Sequence, residues 1–111
     1  REYTMSITNN GIIVGNLTSD VTLNQSAKGP WAKIRIAWDD VVSGKAEFFD
    51  IFFSGRNAEV LSQYGEKGRQ ILVRYRLATG SISKGDVVIK TVDVYGVDFQ
   101  FLSSSKEKKN E

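Results

Sequence analysis

The chain has 111 residues, 41% of them hydrophobic, which is enough for one domain whose core needs no covalent staples. Without cysteine or histidine it has neither a disulfide framework nor the usual zinc and imidazole chemistry, and no cofactor is expected. A formal net charge of +2 is too small to announce a polyanionic partner, so the distribution of charge has to be read instead.

Residues 11–17 read as a first strand: Ile12, Ile13, Val14 and Leu17 are interrupted by Gly11 and Gly15, and glycine inside a strand marks a bend or bulge. Residues 21–24 are expected to continue it. Residues 25–30, ending in Lys-Gly-Pro, are expected to form a loop. Residues 31–38 alternate as a second strand, with Trp31, Lys33 and Arg35 on one face and Ala32, Ile34, Ile36 and Trp38 on the other. Residues 39–45 form a turn, which accounts for the Asp39-Asp40 pair more simply than a metal site does.

In residues 47–53 the charged Asp50 marks the outward parity, so Phe48 and Phe52 face out while Phe49, Ile51 and Phe53 face in. The period then changes to that of a helix, with Ala58, Leu61 and Tyr64 as its inward side, Asn57 as N-cap and Glu59 in the first turn. Gly65 and Gly68 end the helix. Residues 70–78 form a fourth strand with Ile71, Val73, Tyr75 and Leu77 inward and Leu72, Arg74 and Arg76 outward. Residues 79–85 are expected to be a connecting loop, and residues 87–102 a last extended region that breaks or bends at Gly96. Residues 103–111 are a polar tail, expected to be disordered.

Short, regularly spaced strands with a single helix between the third and fourth favour a Greek-key barrel over a sandwich or a parallel sheet. The basic residues cluster. No acid interrupts the window holding Lys28, Lys33 and Arg35, nor the one holding Lys67, Arg69, Arg74, Arg76 and Lys84. If these windows lie on adjacent strands they make one positive strip. Aromatic faces for bases and a cationic groove for phosphates are what sequence-tolerant binding of single-stranded nucleic acid needs. Trp31, Lys33, Arg35, Phe48, Phe52, Arg74, Arg76 and Lys84 are therefore candidates. The alternative for Trp31 is closing an end of the barrel, and for the phenylalanines, packing against another subunit.

Several separated pieces, GIIVGNLTSD, WAKIRIAW, FFSGRNAEVLSQYGEKGRQILV and VDVYGVDFQFL, resemble the bacterial-type single-stranded DNA-binding protein family. The resemblance spans residues 9–102 and implies an all-β domain with one short helix, a five-stranded oligonucleotide-binding (OB) Greek-key barrel, at residues 5–102. Met5 stands where family members begin, so residues 1–4 are given no structural role. By the same resemblance Phe48 occupies the place of a base-stacking tryptophan, and Arg56 and Lys67 match basic positions that contact the DNA backbone. Ser54 replaces a second stacking phenylalanine, and the family's tryptophan between strands four and five has no counterpart in residues 79–85. Phe52 and Trp31 are expected to replace these in part. Tyr75 replaces a usual glycine and should alter the packing of the barrel wall.

The resemblance further implies binding of single-stranded DNA in replication, recombination or repair, in a bacterial cytoplasm or phage-infected host, and a homotetramer with a dimer as fallback. The KEKKNE end lacks the acidic, apolar tip by which bacterial members recruit partners, which points to a shortened chain or to a phage, plasmid or otherwise divergent branch. An enzyme is disfavoured, because neither a phosphate-cradling loop nor an acid pair of stated geometry is present. No membrane association is expected: no apolar run approaches spanning length, and the start lacks the order of a secretion signal. The rival readings are an OB-fold module for protein interaction or replication restart, and an RNA-binding protein.

Overall fold

The computed structural model describes residues 8–102; the expected tail at 103–111, and residues 1–7, lie outside the described residues. Six strands and one helix follow the order β1 Gly11–Leu17, β2 Asn24–Ser26, β3 Gly29–Asp39, β4 Ala46–Ser54, α1 Gly55–Tyr64, β5 Gln70–Lys84 and β6 Val87–Phe101. The sheet order is β1-β5-β6-β4-β3-β2, and β1 also pairs with β3. Five strands thus close in a ring, with β2 outside it as a flap on β3. All pairings are antiparallel except β4 with β6, which meet in parallel at Phe52 and Tyr95.

Alternation directs the core. Ala32, Ile34 and Ile36 of β3, Ile51 and Phe53 of β4, and Ile71 and Val73 of β5 are buried inside the ring together with Leu17. Each large side chain among them contributes about 1.5–3 kcal/mol through the apolar surface it removes from water. Ala58 and Leu61 of α1 are fully buried and close one end. The opposite end is an apolar cleft of about 180 Å³ between Ile13, Phe49, Ile51, Tyr75, Leu77 and Val94.

Several local expectations are corrected. Residues 21–23 are not strand; Val21 turns inward beneath the helix end, its N–H donating to the Gly65 carbonyl at 3.1 Å. The expected loop at 25–30 is a tight hairpin, in which Ser26 pairs with Gly29 and Gly29 takes φ +116°. Asn57 is not the N-cap. The helix starts directly after Ser54 because Gly55 (φ +65°) turns the chain, which leaves Glu59 beyond the first turn. Tyr64 is exposed, as it lies in the last turn, past the rim of the ring. Trp38 and Phe49, both on the inward parity, are also exposed: β3 runs on past the core at Trp38, and Phe49 lies at the open end, where it lines the cleft.

The largest difference is at residues 79–85. They are not a loop: β5 continues to Lys84, turns over Gly85 and Asp86, and returns as β6, so residues 78–93 form a two-stranded arm beyond the ring. Gly85 takes φ +58° in the first turn position, the order of a type II′ hairpin. Leu77 is exposed where the arm departs. At Gly96 the last strand is not broken but carries an irregularity beside it. The register steps from Arg74 opposite Asp98 to Tyr75 opposite Gly96, leaving Val97 as a one-residue bulge. Its carbonyl accepts a hydrogen bond from Asn57 Nδ2 at 3.1 Å, which ties the bulge to the helix.

Candidate nucleic-acid interface

The outward parity of β3 and β4 is as the alternation predicts, and pairing turns it into a surface. Arg76 of β5 is opposite Tyr95 of β6, Tyr95 is opposite Phe52 of β4, and Phe52 is opposite Lys33 of β3. Register partners share a face, so these four side chains form one row across four strands. Trp31 lies on the same face of β3, two residues from Lys33.

The rings form a ladder. Trp31 and Phe52 have centroids 6.4 Å apart, Phe52 and Tyr95 6.0 Å, and both pairs are tilted. The Arg76 guanidinium continues the ladder at 4.9 Å from the centre of the Tyr95 ring. Between these groups lies a cleft of about 470 Å³, lined by Trp31, Phe52, Ser54, Arg76 and Tyr95, with Phe53 and Gly96 beneath. Trp31, Phe52 and Tyr95 are all half-buried, so each has a supported side and an open one.

Further along the face, Phe48 is 50% exposed, and the Arg35 guanidinium sits 5.2 Å from its ring centre. Arg35 also faces Asp50 across the strand pair, Nη1 to Oδ1 at 3.5 Å. Planar guanidinium groups held beside aromatic rings can contact phosphates and stack on bases. Stacking, cationic contact and an open cleft therefore meet on one surface.

The remaining candidates are distributed differently. Arg74 shares the outer face of β5 with Arg76, but its guanidinium is held by Asp98 through two hydrogen bonds, Nη2 at 2.7 Å and Nε at 3.2 Å. Arg56 is exposed in the first turn of α1, two residues beyond the cleft-lining Ser54. Lys67 lies past the other end of the helix, where its backbone N–H donates to Asp20 Oδ1 at 2.8 Å. Lys84 is at the tip of the arm, eight residues and about 26 Å along the strand from Arg76. Tyr95 escaped the sequence reading. Its alternation with Val94 was visible, but the step at Val97 breaks the parity on which an outward assignment rests.

Tyr75, the residue in place of a family glycine, is accommodated from across the sheet. It pairs with Gly11, and its ring occupies the space that a side chain at position 11 needs. In this chain the wall between β5 and β1 is thus packed by a large residue against a glycine.

Residues 8–102 match the model of the single-strand binding protein family. The chain is 32% identical over 108 residues to a protein of Treponema pallidum (strain Nichols) named single-stranded DNA-binding protein, covering 90% of this chain and 61% of that one. A protein of the same name from Wolinella succinogenes is 40% identical over 81 residues, covering 66% of this chain and 50% of its own length. A third, from Clostridium perfringens, is 30% identical over 100 residues, covering 86% of this chain and 67% of the relative. The chain therefore spans about one half to two thirds of the length of these relatives. Its five-strand ring with a single helix is the architecture that the family's OB-fold calls for. On this match and this fold, the chain belongs to the single-strand binding protein family.

Proposed function

We propose that this chain binds single-stranded DNA across the outer face of β3, β4 and β6, with little sequence selectivity in the stacking itself. The observation that carries the reading is the unbroken row from Arg76 through Tyr95 and Phe52 to Lys33, with Trp31 completing the ladder. Bases stack on Trp31, Phe52, Tyr95 and Phe48, each contact worth about 1–3 kcal/mol. Lys33, Arg35 and Arg76 hold phosphates, with Arg56 extending the path beyond Ser54. Lys67 and Lys84 are assigned outer contacts that a longer strand reaches, whereas Arg74, held by Asp98, adds no phosphate contact while that pair stays closed. Residues 5–102 constitute the binding domain, acting in replication, recombination or repair without a catalytic step.

Homo-oligomer formation is part of the proposal. It is supported by the arm, where Ile82, Val87 and Ile89 on one face and Val88 and Val92 on the other are all about half exposed or more, apolar exposure unusual for an isolated hairpin. Light scattering tests it, with a monomer as the opposing result.

The test of binding is a titration of the intrinsic tryptophan fluorescence with oligo-dT. Quenching is expected, and added salt reverses it, because phosphate contacts release counterions. Absence of quenching, or quenching indifferent to salt, overturns the proposal in favour of a protein-interaction module. Tighter binding of oligo-U than of oligo-dT would reassign the substrate to RNA.

A further inference from the structure

Asp50 is the one acidic side chain between Phe48 and Phe52 on the outward parity of β4, a place where a phosphate-binding face gains nothing from a negative charge. Its Oδ1 is shielded from solvent without a hydrogen-bond partner, with Arg35 Nη1 at 3.5 Å, while the side chain as a whole keeps 39% of its exposure. The polar atom left to solvent is therefore Oδ2. Along β4 the Cα of Asp50 stands about 6–7 Å from the Cα of each flanking phenylalanine. A strand of DNA with bases on both rings must pass over it.

What passes over it is decided by charge. A phosphate there meets a like charge, whereas Lys33, Arg35 and Arg76 offer it opposite ones nearby, so the backbone is steered aside and a base edge is left facing Asp50. A carboxylate only accepts hydrogen bonds, and among base edges it suits an amino group such as cytosine N4–H₂. Thymine in the same place presents two carbonyl oxygens around a single N–H, and these repel the carboxylate.

Resting on the binding reading above, we propose that Asp50 Oδ2 accepts a hydrogen bond from the exocyclic amine of a base lying between Phe48 and Phe52. The face then combines indifferent stacking with one position that favours cytosine over thymine. Arg35 holds the carboxylate from the neighbouring strand, Nη1 to Oδ1 at 3.5 Å.

The experiment compares oligo-dC and oligo-dT affinities at fixed salt for the unaltered protein and for Asp50→Asn, whose amide can donate to thymine O4. The substitution is expected to lower the ratio of oligo-dC to oligo-dT affinity by about fivefold or more, the scale of a charge-assisted hydrogen bond. A second arm uses N4-dimethylated cytosine: the unaltered protein should bind the modified oligo-dC several-fold more weakly than plain oligo-dC, and Asp50→Ala, which has no acceptor there, should not distinguish the two; equal binding of both by the unaltered protein overturns the proposal. An unchanged ratio, with both affinities steady or moved by a common factor, overturns the proposal and leaves Asp50 only a partner for Arg35. A shift toward oligo-dC overturns it as well. Failure of the unaltered protein to bind either oligonucleotide removes the binding reading itself, a result distinct from an unchanged ratio.

Discussion

The ring of Phe53 lies directly over Gly96, filling the space that a side chain at position 96 needs. That contact lets β6 approach β4 closely enough to pair at the adjacent Phe52 and Tyr95, and so places Tyr95 in the aromatic ladder. A buried packing contact and the outer surface are thus two sides of one strand junction.

Gly96→Ala should consequently act on both. The added methyl group collides with a fully enclosed ring, an overpacking cost of about 1–3 kcal/mol. Urea unfolding should show a lower midpoint. Oligo-dT titration at a temperature where the variant is folded should show weaker binding, because Tyr95 is displaced from Phe52.

Tyr95→Ala should weaken oligo-dT binding by about 5-fold to 100-fold, the equivalent of one lost stacked base, and Phe52→Ala by a similar factor. Tyr95→Phe keeps the ring and should bind nearly as well as the original. If Phe52→Ala left oligo-dT affinity unchanged, the ladder would not be the binding surface.

The two neighbouring arginines of β5 should differ in their salt dependence. Among the described residues Arg76 is in no ion pair, and its guanidinium stands over Tyr95, so Arg76→Ala should reduce the slope of log affinity against log salt by about 1. Arg74 is already neutralised by Asp98, so Arg74→Ala should leave the slope nearly unchanged. Asp98→Asn frees that guanidinium and should tighten binding at low salt.

Trp31 is in the ladder, and Trp38 lies near the far end of β3, opposite Glu47. Trp38→Phe should therefore retain most of the quenching by oligo-dT, and Trp31→Phe should lose it. Fluorescence titration of the two variants distinguishes the roles directly.

Much of this was legible in the residues. The period-two alternation of β3 and β4 assigns Ile34, Ile36, Ile51 and Phe53 to the core and Trp31, Phe48 and Phe52 to the outside, because a pleated strand has only two faces. The helical spacing of Ala58 and Leu61 identifies the plug in the same way. Gly85-Asp86, followed by the β-branched run Val87-Val88-Ile89, carries a hairpin signal, but the polar residues 79–84 before it look like loop until they are paired with β6. Trp38, Leu77 and Tyr64 mark the limit of parity and period: these name a side, not whether the neighbouring element extends far enough to cover it.

The amino-acid order by itself determined which side chains point in and which point out along each strand, and the family to which such a pattern belongs, since both follow from local periodicity and motif. Only the tertiary structure decided which outward residues become neighbours. The β4 to β6 contact is parallel and joins residues far apart in the chain, and the bulge at Val97 resets the parity of β6. Both depend on close packing between Phe53 and Gly96 and on the Asn57 bond to Val97, interactions between elements that no single segment encodes.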